Sequence, residues 1–438
     1  MLIPYIDVTE VEGTDNLHLP TAMIKSSQEL AAKTFKAKKT FYSVNGTTGG
    51  IYAAITSQVK PGEKILIQRD CHRSVHNALV LGRIDHDYMY PVYDSKCNIL
   101  TGINPDDIEK KLKEDSEIKA IVITYPSYYG VCSDIEKICK IAHRYNKLLI
   151  VDEAHGSHLG FSERLPKSSI EAGADIVIQS THKTLPAFTQ SSMVHVGTDR
   201  VDIEKLEKMM SIYQTTSPSY LLLSSIDYAV GYMDVYGREK LNVILDKIQE
   251  VTIYLERLQK VKIFNKNDIV HNNFHDFDNT KLLFNVEGIT GKKLEEILRR
   301  DYHIQLEMSD YYYGLALTSI LDENSDLEKL ALAIEDISKK DEYTNKDLAI
   351  KEFNDIRNIN PKIVMSLYEA FYNNKISVQL KESIGKISGD FIIPYPPGIP
   401  ILAPGEIVTK EIVEYIEKLI ENNVQILGLT NGNILITK

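Results

Sequence analysis

The chain has no long hydrophobic run. Nothing in it approaches the ~18 consecutive apolar residues of a membrane-spanning helix. It also has no basic excess: the formal net charge over 438 residues is −11, which would repel a phosphate backbone. Membrane insertion and nucleic-acid binding are therefore not expected. The four cysteines, Cys71, Cys97, Cys132 and Cys139, form no Cys-x-x-Cys pair. Zinc-ribbon and thioredoxin chemistry have no support, no metal site is expected, and the thiols should be reduced and mostly buried. The start, Met1-Leu2-Ile3-Pro4-Tyr5, lacks the basic flank and length of a signal peptide and runs at once into Asp7, Glu10 and Glu12, so a cytoplasmic location is expected.

What is present alternates. Lys39–Val44 is strand-like and leads through a glycine-rich turn into a helical pattern at Ile51–Val59. Lys64–Gln68 follows the Pro61-Gly62 turn, and Lys119–Thr124, Lys147–Asp152, Ala174–Gln179 and Met193–Val196 are further strand-like runs. Asp134–Tyr145 places Ile135, Ile138, Ile141 and Ala142 at helical spacing. Runs apolar on both faces and separated by helices predict an α/β architecture, a mainly parallel sheet with helices on both faces. Helical patterns at Asp202–Met210, Ser224–Tyr236 and Glu239–Leu258 follow, the last two forming a long link. A strand at Lys281–Gly288 and a helix at Gly291–Arg300 come next. A charged stretch, Glu335–Lys346, precedes a proline-rich segment, Pro394–Pro400. A chain of this length exceeds one core. Three domains are expected: 1–236 large, 237–340 small α/β, and 341–438 C-terminal.

Four strand ends carry unusual residues, and the carboxyl ends of such strands are where ligands gather. Asn45-Gly46-Thr47-Thr48-Gly49-Gly50 joins a strand to a helix; its glycines admit an anion to the helix start, and Thr47 and Thr48 add hydroxyls. His72 lies just beyond Lys64–Gln68. Asp152 closes an apolar strand and opens Asp152-Glu153-Ala154-His155-Gly156, where a carboxylate calls for a cationic partner. The string also spells a helicase box, but no phosphate loop precedes it. The nearest approach, Gly288-Ile289-Thr290-Gly291-Lys292-Lys293, lacks the first glycine and the final hydroxyl residue, and lies downstream. Ser180-Thr181-His182-Lys183-Thr184 ends the fourth strand. There Lys183 can form a Schiff base with an aldehyde once burial lowers its pKa, and Ser180 and His182 can reach a phosphate. Each string alone is weak. Together, with Asp152 preceding Lys183 by 31 residues, they equip a sheet for pyridoxal 5′-phosphate, with an imine lysine and an acid for the pyridinium nitrogen.

These residues, with Asp15-Asn16-Leu17-His18, Arg69 to Ser74, Thr216-Ser217-Pro218-Ser219-Tyr220, Pro-Pro-Gly-Ile-Pro and Pro404-Gly405-Glu406, resemble the Orn/Lys/Arg decarboxylases of the aspartate-aminotransferase fold. The resemblance runs from about Asp15 to the C-terminus. It implies fold type I, with Lys183 as the Schiff-base lysine, Asp152 on the pyridine nitrogen, and His72 and Ala154 on the two ring faces. It also implies Thr47, Thr48, Ser180 and His182 on the phosphate, His155 among the cofactor contacts, and Glu406 on the distal cation of a basic substrate. A homodimer with a shared site is implied, alone or within a higher homo-oligomer, with Thr216 or Ser217 reaching the other subunit's phosphate. The family's N-terminal Pro-Gly-His-Lys segment and wing domain have no counterpart here, and the lack of the wing points to a small oligomer. The Asp-Glu-Ala-His-Gly form favours arginine over lysine or ornithine. An aminotransferase, a β-eliminating lyase or a non-catalytic cofactor-binding relative would share the cofactor contacts and differ in product.

Overall fold

The computed structural model describes residues 7–268, 274–343, 360–395, 398–422 and 424–438. The pentapeptide at the start, Pro396, Pro397 and the end of the charged stretch lie outside them. Seven strands make the main sheet: β1 (Lys39–Ser43), β2 (Lys64–Gln68), β3 (Asp85–Met89), β4 (Ile118–Thr124), β5 (Leu148–Asp152), β6 (Ile176–Gln179) and β7 (Ser192–Val196). Their order is β1-β7-β6-β5-β4-β2-β3. β7 runs antiparallel to both of its neighbours, and the pairs from β6 to β3 are parallel.

The apolar runs are continuous because the sheet is covered twice. Leu66, Ile121, Leu149, Val151 and Val177 face one core, while Ile65, Ile67, Val122, Ile150, Ile176 and Ile178 face the other. That is the two-residue alternation of a strand expressed with apolar residues on both faces. Each such side chain, withdrawn from water, stabilises the fold by roughly 1.5–3 kcal/mol.

Helices α1 (Met23–Thr34), α2 (Gly46–Gln58), α3 (Arg73–Gly82) and α4 (Ile135–Arg144) are among those that cover the sheet. The helix expected from Ile51 thus starts at Gly46, because the glycines are its first turn and not a loop before it. Gly50 lets α2 press on the sheet: a Cβ there would stand 2.7 Å from Val194 and 2.9 Å from Ile178. Neither α1 nor the edge strand β3 was expected.

α5 (Tyr220–Tyr232) passes through a π-helical turn at Met233–Gly237 into α6 (Arg238–Glu256), giving the expected long link. The boundary expected at 236/237 therefore falls inside a helix. A second sheet, antiparallel throughout, is ordered β8-β9-β11-β10 from β8 (Val261–Ile263), β9 (Lys281–Val286), β10 (Met308–Ser309) and β11 (Gly314–Leu317). The C-terminal part pairs β12 (Lys375–Gln379) with β15 (Asn433–Thr437) and β13 (Ile393–Tyr395) with β14 (Gln425–Leu427). Among the described residues no helix is long and apolar enough to cross a membrane.

Candidate active site

β5 delivers Asp152 to the sheet's carboxyl edge, where it is 3% exposed. Its Oδ1 accepts the N–H of Ala154 at 3.2 Å, and it makes no ion pair among the described residues. Burial pushes its carboxyl up to about 6, with Lys183 pulling the other way. Next door, β6 ends at Gln179 and the chain turns at once into a single helical turn, Thr181–Thr184. This turn swings Lys183 over the same edge. Its Nζ stands 2.9 Å from His155 Nε2 and 5.8 Å from the centre of the Tyr128 ring. Burial holds the Lys183 amine below the usual lysine range, against Asp152 and Glu307.

Burial, then the charges of Lys281 and Lys183, hold His155 far below the usual histidine range, so its ring is neutral. With Nε2 accepting from Lys183, its proton sits on Nδ1, a buried atom with no partner among the described residues. Tyr128 packs on the ring at 5.0 Å between centroids.

The anion cup forms where β1 meets α2. Gly46 takes φ +63°, and its N–H binds the Gln190 carbonyl at 2.9 Å. Thr47 and Thr48 then fall in the first turn of α2, where backbone N–H groups have no helical acceptor. Thr47 Oγ1 lies 3.2 Å from Ser180 Oγ, joining this turn to the one bearing Lys183. His182 Nδ1 donates to the Ser191 carbonyl at 2.8 Å. His72 caps α3: its Nδ1 accepts the Ser74 N–H at 3.2 Å and meets Ser74 Oγ at 2.8 Å. Burial, with Lys183 and Arg73, brings its pKa down to about 4, so the ring is a neutral plate. A cavity of about 290 Å³, lined by Thr48, Tyr52, His72, Ser74, Ile393 and Tyr395, opens beside it.

The other expected residues lie elsewhere. Thr216 and Ser217 are on an exposed loop. Glu406 is 1% exposed and its Oε2 is occupied by Arg69 at 3.2 Å and by the Ala403 N–H at 2.7 Å. Arg69 also donates to the carbonyls of Pro400 and Ile401 and lies 4.8 Å from the centre of the Tyr88 ring. The sequence reasoning quoted Arg69 and Glu153 within motifs without giving either a role, and it overlooked Tyr128 and Lys281. A lysine opening the apolar strand Lys281-Leu282-Leu283-Phe284 was the available clue.

The donor set suits a phosphorylated pyridine aldehyde. It offers a buried carboxylate without a cation and an amine disposed to be neutral. It also offers open helix-turn amides, and the buried hydroxyls of Thr124 and Thr181 have no partner among the described residues. Fold and donor set together define a pyridoxal-phosphate enzyme of fold type I.

Residues 3–294 match the major domain of the Orn/Lys/Arg decarboxylases and residues 349–431 match their C-terminal domain. The chain is 35% identical to an arginine decarboxylase of Bacillus anthracis over 97% of its own length and 86% of that protein's. It is 33% identical to an arginine decarboxylase of Bacillus subtilis, with the same coverage of both. The structure of lysine decarboxylase A from Pseudomonas aeruginosa superposes with a TM-score of 0.83 at 19% identity, over 98% of this chain and 73% of that one. This chain belongs to the Orn/Lys/Arg decarboxylase family.

Proposed function

We propose that the protein splits the α-carboxylate from a basic L-amino acid, L-arginine foremost, releasing CO2 and the corresponding amine. Relatives 33–35% identical over nearly the whole chain are arginine decarboxylases. The observation that carries the chemistry is the Lys183 amine, half-buried on the turn that follows β6 and 2.9 Å from a neutral imidazole.

Bound pyridoxal phosphate supplies an electron sink for the pair left on the substrate's α-carbon. Lys183 would anchor its aldehyde, and Asp152 would hold the proton on its ring nitrogen. His72 and Ala154 would cover the two ring faces and hold the ring in place. Thr47, Thr48, Ser180 and His182 would hold the phosphate. The bond to the carboxylate breaks, its electrons stay with the α-carbon, and one proton replaces the departing CO2. We assign delivery of that proton to Lys183, whose Nζ would take it up from solvent as an ammonium and be oriented by the acceptor His155 Nε2.

The active unit would be a cytoplasmic homodimer whose sites are shared, with Thr216 and Ser217 reaching the other subunit's phosphate; their exposure leaves them free to do so. Glu406 receives a structural part, since Arg69 already answers its charge. Lys183→Ala should abolish CO2 release by cofactor-loaded protein. Release at the parent rate would remove the lysine from the scheme.

A further inference from the structure

Lys281 opens β9 and is 2% exposed, in a place where lysine is rarely found. Its Nζ donates to two carbonyls, those of Ser127 at 2.9 Å and Tyr128 at 3.0 Å. Both belong to the tight turn that follows β4, closed by the Gly130 N–H on the Ser127 carbonyl at 2.9 Å and by the Ser127 N–H on Val131. Gly130 sits at φ +97°, and a Cβ there would come within 3.2 Å of the Lys281 stem. Turn and lysine are thus fitted to each other.

The neighbouring anion is Asp278, which shares its Oδ1 with His158 at 3.2 Å and Thr280 Oγ1 at 2.7 Å. Burial draws the Lys281 ammonium down to about 8, with Asp278 opposing. Cys132 and Glu307 also favour its charge, and Lys183 disfavours it. A buried ammonium held mainly by carbonyls is costly, and an apolar side chain of similar length would fill the space without that penalty. Packing alone therefore does not account for a lysine here.

Its position in a row of contacts does. The turn it holds presents Tyr128, Tyr128 packs on His155, and His155 meets the Lys183 amine. We propose that Lys281, reaching in from the second sheet, is a positioning residue for the reaction: it pins the Ser127–Tyr128 turn so that Tyr128 holds His155 against Lys183. The charges of Lys281 and Lys183 also repel one another, which favours the neutral amine of the pair. This rests on the decarboxylase function proposed above, and its deciding test needs no substrate.

The experiment pulse-labels cofactor-free protein with acetic anhydride between pH 6 and 10 and follows Lys183 acetylation by mass spectrometry, since only the neutral amine reacts. In Lys281→Met, the rise of Lys183 labelling with pH should move up by about half a pH unit, a fall of about threefold at a pH on the rising limb of the parent's profile. The loaded enzyme should lose kcat with KM near the parent's, and Lys281→Arg should restore both. If Lys281→Met does not fold, Lys281→Gln, which removes the charge and keeps one donor, makes the same comparison. A Lys183 labelling profile identical to the parent's in the neutral variant would overturn the proposal. Absence of CO2 release from the parent protein would instead count against the decarboxylase function and leave the labelling result standing.

Discussion

At the scale of single residues, the sheet's carboxyl edge gathers groups whose burial works against their charge. Loss of water holds Lys183 toward the amine and Asp152 toward the acid against the pull of neighbouring charges, and holds His72 and His155 toward neutral rings with neighbouring cations adding to it. Clusters of this kind mark functional sites. Glu153 shows how such burial links stability to pH. Its carboxyl accepts the Ser169 N–H and the Gln179 amide, each at 3.0 Å, yet burial raises it from 4.5 to about 8. Between those values the unfolded chain releases the proton while the fold retains it, so this residue's contribution to stability falls as pH rises from 4.5 to about 8. Glu153→Gln should flatten the decline of Tm over that range in cofactor-free protein. An unchanged pH slope would show that Glu153 titrates normally. The placement of Lys183, Asp152 and His72 at the sheet's carboxyl edge was open to sequence reasoning because each lies at or just beyond an apolar run that ends abruptly. Tyr128 and Lys281 were not, since their importance depends on a contact between residues more than 150 positions apart.

At the scale of elements, the pair Arg69–Glu406 fastens the C-terminal segment to the strand end that leads to His72. Burial raises the Glu406 carboxyl, and Arg69 restrains that rise. Removing one partner strands a buried charge, which costs about 3–5 kcal/mol, whereas replacing both by apolar residues is far milder. Urea unfolding of Arg69→Met should show a loss of that size, largely recovered by adding Glu406→Leu. A small loss in the single variant would mean that water reaches the pair. Sequence patterning located the parallel strands from β2 to β6 well, except for β3. That edge strand carries Asp85, His86 and Asp87 and so lacks an apolar run. It missed the start of α2 because glycine reads as a turn, although here it permits a close approach to Val194 and Ile178. The Arg69–Glu406 pair spans 337 positions and leaves no local trace.

At the scale of the molecule, Phe188, Ile212, Tyr228 and Val235 are exposed large apolar side chains, and the homodimer proposed above is tested by its mass. Sedimentation should give about twice the 49.6 kDa of one chain; a monomer that retains full activity would refute a shared site. Domain limits at 237 and 341 remain our proposal, the first of them crossed by the continuous α5–α6 helix. The central claim concerns chemistry, and its most direct test is CO2 release from L-arginine, L-lysine and L-ornithine by protein loaded with pyridoxal phosphate. Release from L-arginine at the highest kcat/KM, with stoichiometric amine, is the predicted result. No CO2 from any of the three, with cofactor demonstrably bound at Lys183, would contradict it.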